Sequence, residues 1–140
     1  MTFGPIVHPL DKIGGLNESN TPLWKIATGE TPLPVTNVPF WIDVRDLGLA
    51  HVEALLRPEA GNKRYTPASP EHFSYALAAK IMLEQFSWAT GKVSKEEQPI
   101  DQSYGLDGEM ATRGLGVKYR SFKETVVDLV SQLWEMENKQ

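Results

Sequence analysis

The sequence predicts a mixed α/β fold of about three main helices joined by a few short strands. Three stretches carry that expectation. Phe40-Trp41-Ile42 is an apolar strand that runs straight into a helix through Asp43. Ser69-Pro70-Glu71 opens a second helix, and Ser121-Phe122-Lys123-Glu124 is a capping box ahead of a third.

Bulk properties narrow the class. With 140 residues the chain has the length of one domain, enough to bury roughly 70% of the surface its unfolded form exposes. Its net charge of −4, with no basic run and no aromatics interleaved with Lys and Arg, argues against a nucleic-acid partner. Absence of cysteine excludes a disulfide scaffold, a thiolate metal site and a cysteine nucleophile, and fits a reducing, cytoplasmic location. No apolar run approaches a membrane span, and residues 1–15 lack the basic start and apolar core of a secretory signal, so a soluble chain without membrane contact is expected.

Taken in order, Thr2-Phe3-Gly4-Pro5 reads as the end of a strand followed by a turn. Asn17 to Asn20 offers capping side chains for a short helix containing Leu23, Trp24 and Ile26, which Gly29 stops. The proline-rich segment 31–39 is an extended crossing loop. Asp43 caps the next helix, which begins near Val44, has Asp46 in its first turn where the helix dipole favours a carboxylate, and ends at Arg57-Pro58. Its apolar residues form two stripes, Val44, Leu47, His51 and Leu55 on one, Leu49, Val52 and Leu56 on the other, so the helix is expected to lie between two layers. Lys63 to Thr66 is a short strand candidate. The helix from Ser69 carries Phe73, Leu77, Ile81, Met82 and Phe86 on one face, and residues 90–101 form a charged linker that returns as a brief strand. A short helix over Asp107 to Arg113 closes at Gly114 or Gly116, Val117 to Arg120 is extended, and the last helix turns Phe122, Val126, Leu129, Val130 and Leu133 inward.

Several of these stretches also have a family look. Phe3-Gly4-Pro5, Leu16-Asn17-Glu18-Ser19-Asn20, Ile42-Asp43-Val44-Arg45-Asp46 with Ala50-His51, Lys63-Arg64-Tyr65 and Phe122-Lys123-Glu124-Thr125 follow one another in family order. Together they resemble the carboxy-terminal, substrate-binding part of extended short-chain dehydrogenases/reductases, in the NAD-dependent epimerase/dehydratase superfamily. The group most alike is that of fungal methylglyoxal and ketone reductases, with dihydroflavonol and cinnamoyl-CoA reductases as relatives. The resemblance implies a single truncated substrate-binding domain over residues 1–140, without a Rossmann cofactor domain. Complete members use NADPH; their Gly-rich turn and catalytic Ser, Tyr and Lys precede this region, so no cofactor is expected to bind this chain alone and no hydride transfer is expected from it alone.

Two short patterns imitate the missing parts. Gly105-Leu106-Asp107-Gly108-Glu109-Met110-Ala111 fits a Gly-rich turn, but its lead-in Gln102-Ser103-Tyr104 is polar rather than a buried strand. Tyr119 and Lys123 have the Tyr-x-x-x-Lys spacing, yet they lie beside a helix cap. The histidines at 8, 51 and 72 lack metal-ligand spacing; His51 belongs to a core stripe, and Asp43 with Asp46 is explained by helix capping.

The resemblance places the loop after Gly4-Pro5 against the substrate, making Phe3, Val7, Trp24 and Trp41 the expected substrate-binding residues for a hydrophobic carbonyl compound. Core packing is the competing reading for both tryptophans. A homodimer or a complementing Rossmann-containing chain is the expected partner. A second reading has a free-standing remnant that binds a hydrophobic molecule and catalyses a redox-neutral isomerisation or cyclisation, with His8, Asp11, Asp101 and Tyr104 as acid–base groups. A third has an inactive subunit pairing through an exposed strand edge.

Overall fold

In the computed structural model, which describes residues 1–139, two strands and five helices follow one another: β1 (Thr2–Phe3), α1 (Asn20–Ala27), β2 (Ile42–Asp43), α2 (Val44–Leu56), α3 (Tyr75–Gln85), α4 (Glu109–Leu115) and α5 (Phe122–Asn138). The strands pair in parallel, with Thr2 opposite Ile42 and Phe3 opposite Asp43. The main core lies where α1, α3 and α5 meet this pair. At its centre Phe3, Trp41, Phe73 and Phe122 interlock, with ring centroids 5.0 Å apart for Phe3–Phe73 and for Trp41–Phe122. Edge-to-face packing of this kind adds to the burial each ring contributes. Trp88 stacks on Trp134 at 4.1 Å at the edge of the same core.

Helix boundaries follow their caps. The Asp43 carboxylate accepts from the Arg45 amide at 2.8 Å and α2 starts at Val44; Pro58 follows its last residues, as expected. Ser121 accepts from the Glu124 amide at the start of α5. α4 closes on Gly116 at φ 70°, a left-handed position suited to glycine.

Four expectations need correction. The helix assigned to Ser69 starts instead at Tyr75, capped by Ser74. Ser69 N–H donates to the Trp41 carbonyl and Phe73 N–H to the Pro39 carbonyl, so this stretch gives its backbone groups to long-range pairing and none to a helical turn. Lys63–Thr66 and the end of the 90–101 linker form no strand among the described residues; Val117–Arg120 joins α4 to α5 outside any helix, and its Arg120 amide donates to the Asp46 carboxylate at 2.7 Å. Ser19 and Asn20 do not cap α1 through their side chains, which reach β1 and the loop after it. His51 is exposed, its Nδ1 2.8 Å from the Leu47 carbonyl, and α2 buries one side only. That side, through Ala50, packs on a second small cluster of Ala60, Ala111, Leu115 and Val117. Leu49, Val52, Leu55 and Leu56 remain exposed. No helix among the described residues is long and apolar enough to cross a membrane.

Close packing of α4 depends on Gly108. A β-carbon there would overlap the Ala68 carbonyl oxygen and come within 2.9 Å of the Tyr119 hydroxyl. Backbone oxygen cannot swing aside as a side-chain tip can, so Gly108→Ala is expected to cost about 1–3 kcal/mol. The check is a lower urea midpoint at unchanged slope.

Candidate functional site

Ligand sites in open parallel sheets gather outside the carboxyl ends of the strands. Here β1 leads from its carboxyl end into the loop Gly4–His8, and β2 leads directly into α2. Between them lies a concavity of about 190 Å³, with Phe3 in its floor and Val7, His8, Asn17, Asn20 and Val44 around it.

Each turn of the loop has a defined cause. Gly4 has φ 131°, and a β-carbon there would meet Val44 Cγ1 at 3.0 Å and the Asp43 carboxylate oxygens at 3.3 Å, so only glycine fits. Buried Asn20 pairs with both backbone groups of Gly4: its Nδ2 donates to the carbonyl at 3.0 Å and its Oδ1 accepts from the amide at 3.3 Å. Two residues on, Gln132 does the same for Ile6, accepting from its amide at 2.6 Å and donating to its carbonyl at 2.9 Å. Val7, 78% exposed, and the exposed His8 therefore project from a clamped base.

Beneath the loop the start of α2 is held by buried charge. Asp43 and Asp46 are almost completely buried. Arg45 donates from Nε and Nη2 to the two oxygens of Asp43 at 2.9 and 2.8 Å and from Nη1 to Asp128 at 2.7 Å, while Thr125 donates to Asp43 at 2.7 Å. Burial pushes the Asp43 carboxyl up, but the hydrogen bonds from Arg45 and Thr125 and the guanidinium charge outweigh it, holding it below the usual carboxylate range. The Arg45 guanidinium is held correspondingly above its ordinary value, first by its bond to Asp43. Asp46 pairs with Arg120. Both carboxylates are thus committed to charge-assisted bonds that anchor α2.

Of the eight residues expected at a site, Phe3, Val7 and His8 meet at this concavity. Trp24 and Trp41 do not: both are core residues, Trp41 being 1% exposed with its indole N–H donating to the Glu71 carbonyl at 2.7 Å. Asp11 is exposed, and neither it nor Asp101 nor Tyr104 lines the concavity of His8. Asp101 and Tyr104 sit on another loop, where Tyr104 packs edge-on to Phe40 at 5.0 Å and donates to the Asn37 carbonyl at 3.2 Å. Asp101 takes both the Ser103 hydroxyl and amide on one oxygen, which holds its carboxyl below the usual range and makes it a weak base. Asn20 and Gln132 were not expected here: Asn20 reads as a helix cap, and Gln132 carries no local signal.

Neither imitation of a cofactor motif fits a nucleotide. Gly105–Ala111 follows no strand and leads into a helix of only seven residues, and the Tyr119 hydroxyl is tied to the Gly108 carbonyl at 3.0 Å. Among the described residues no group of three or more His, Asp or Glu is placed to hold a metal. The concavity offers an apolar floor, an imidazole and backbone held in place.

No family model matches the chain. Individual relatives do. An oxidoreductase of Schizosaccharomyces pombe is 30% identical over 137 residues, covering 95% of this chain and 39% of the relative. A ketoreductase of Aspergillus niger is 29% identical over 96% of this chain and 41% of its own length. The NADPH-dependent methylglyoxal reductase of Saccharomyces cerevisiae is 28% identical over 71% of this chain and 30% of its own length. Among solved structures, yeast methylglyoxal/isovaleraldehyde reductase complexed with NADPH superposes with a TM-score of 0.83 at 26% identity, over 99% of this chain and 42% of that one. Gre2 of Candida albicans gives 0.84 at 25% identity, over 97% and 42%. The chain spans about two fifths of the length of the first curated relatives it matches. In sequence and in fold it is therefore kin to part of the fungal methylglyoxal-reductase group of short-chain oxidoreductases.

Proposed function

We propose that this chain is the substrate-binding part of an NADPH-dependent aldehyde or ketone reductase. The observation that carries the reading is the clamped Gly4–His8 loop, which holds Val7 and His8 over an apolar floor at the carboxyl ends of a parallel pair. A branched apolar carbonyl compound suits such a site, since orientation there rests on shape and a few fixed polar groups. Hydride transfer requires a nucleotide-binding part, on this chain's own polypeptide or on a complementing one. The exposed stripe Leu49, Val52, Leu55 and Leu56 on α2 supports a further layer seated there. A cytoplasmic setting agrees with a cysteine-free sequence and with NADPH as reductant.

Titrations of the purified chain test this. Isovaleraldehyde is expected to shift the backbone amide resonances of Val7 and His8, while NADPH gives no saturable heat by calorimetry. Adding the nucleotide-binding part of the yeast methylglyoxal reductase is expected to yield carbonyl-dependent NADPH consumption. Tight NADPH binding by the chain alone, or a loop indifferent to the aldehyde, would overturn the reading.

A further inference from the structure

Thr125, Asp128 and Gln132 lie at i, i+3 and i+7 along α5, the spacing that puts side chains on one face of a helix. Each reaches a different part of the candidate site. Thr125 donates to Asp43, at the end of β2. Asp128 takes the outer arm of Arg45, in the first turn of α2. Gln132 takes both backbone groups of Ile6, 126 residues away in sequence.

We propose that this polar stripe of α5 positions the site, with Gln132 the positioning residue that fixes the Gly4–His8 loop through Ile6. The proposal rests on the carbonyl-binding reading for its functional consequence; the clamp itself does not.

A side-chain amide carries one donor group and one acceptor in the same arrangement as a peptide. By meeting the Ile6 N–H and C=O together, Gln132 stands where a neighbouring strand would pair with the loop. Asn20 plays the same part at Gly4, and the loop is secured at alternate residues. The two clamps differ in what holds them. Asn20 opens the short helix α1, whereas Gln132 rides on the longest of the described helices, whose adjoining side is locked into the core by Val126, Leu129, Val130 and Leu133. Because Thr125 and Asp128 on that same rigid face hold the start of α2, the loop and the α2 side of the concavity share one reference frame. That arrangement preserves their separation, and with it the size of molecule accepted between Val7 and Val44.

Amide hydrogen exchange on the chain, with Gln132→Met and Gln132→Glu variants, tests the inference. Methionine keeps length and packing and loses both hydrogen-bonding groups; glutamate keeps the acceptor for the Ile6 N–H and loses the donor to its carbonyl. The expected result is exchange at Ile6 at least tenfold faster in Gln132→Met, intermediate in Gln132→Glu, and unchanged at Leu129 and Val130. A packing role alone would not order the two variants this way. Exchange at Ile6 equal to the parent's in both folded variants would overturn the proposal. If Gln132→Met fails to fold, Gln132→Leu, which also removes both hydrogen-bonding groups, decides, with exchange at Ile6 equal to the parent's again the overturning result. The same samples titrated with isovaleraldehyde are expected to show weaker shifts at Val7 and His8 than the parent. An accelerated Ile6 in a chain whose parent ignores the aldehyde would uphold the clamp and reject the carbonyl reading, so the two failures are told apart.

Discussion

Asp43→Ala is expected to destabilise the fold by about 3–5 kcal/mol, the range for breaking one side of a buried ion pair. Asp43 accepts from the Arg45 amide, from two guanidinium nitrogens and from the Thr125 hydroxyl, and it is 1% exposed. Alanine would remove the α2 cap, strand the fully buried Thr125 hydroxyl and leave Arg45 with Asp128 alone. Asp128→Ala is the control: its carboxylate is 40% exposed and its loss is expected to cost under about 1 kcal/mol. Urea denaturation of the two variants at neutral pH gives both numbers. Acid adds a signature. The folded Asp43 carboxyl titrates below the unfolded one, whose ordinary value is about 3.9. Its contribution is therefore fully present above that value and is lost as pH falls through the lower, folded value. The stability gap between parent and Asp43→Ala is accordingly expected to hold from neutrality to about pH 5 and to narrow below about pH 4.

Trp41→Ala is expected to cost a similar 3–5 kcal/mol, for another reason. Its ring meets Phe122 at 5.0 Å and Phe3 at 6.5 Å, and its indole N–H satisfies the Glu71 carbonyl. Removing it opens a cavity at the junction of the parallel pair with α5 and deprives that carbonyl of its donor. Trp41→Phe refills most of the volume, and is expected to recover more than half of the loss. Thermal or urea denaturation checks both substitutions. A residue lining an open wall would instead tolerate truncation with little change in stability, so the size of the effect separates core from ligand wall.

Local rules were the legible part of this molecule. Asp43, Ser121, Pro58 and Gly116 act within a turn of themselves, and each starts or ends a helix as its chemistry dictates. The kinship was legible too, because its motifs run through the chain in order. Where partners lie far away, local reading failed. Ser69-Pro70 has good helix-starting chemistry, but pairing with the segment 39–41 wins and postpones the helix to Tyr75. α2 has two apolar stripes, and periodicity alone does not tell which faces a neighbour; His51 and Leu55 proved exposed. The candidate site shows the same division. Phe3, Val7 and His8 come from one contiguous stretch, the end of β1 and the loop after it, which a motif can mark. Gln132 reaches that loop from across the fold, and nothing around it in sequence distinguishes it from a solvent-facing helix residue.

The clasp between Ile6 and Gln132 also bears on the order of assembly. Closing a contact over 126 residues costs chain entropy before it returns any bonding. β1 pairs with β2 across about forty residues, and Phe3 finds its aromatic partners on segments as distant as Phe122. During synthesis this stretch must wait for Phe122 and Gln132 to emerge before its ring and backbone groups are satisfied. Docking of β1 and its loop is thus expected late in folding, with protection of the Ile6 amide in pulsed hydrogen exchange appearing after that of Leu129 and Val130.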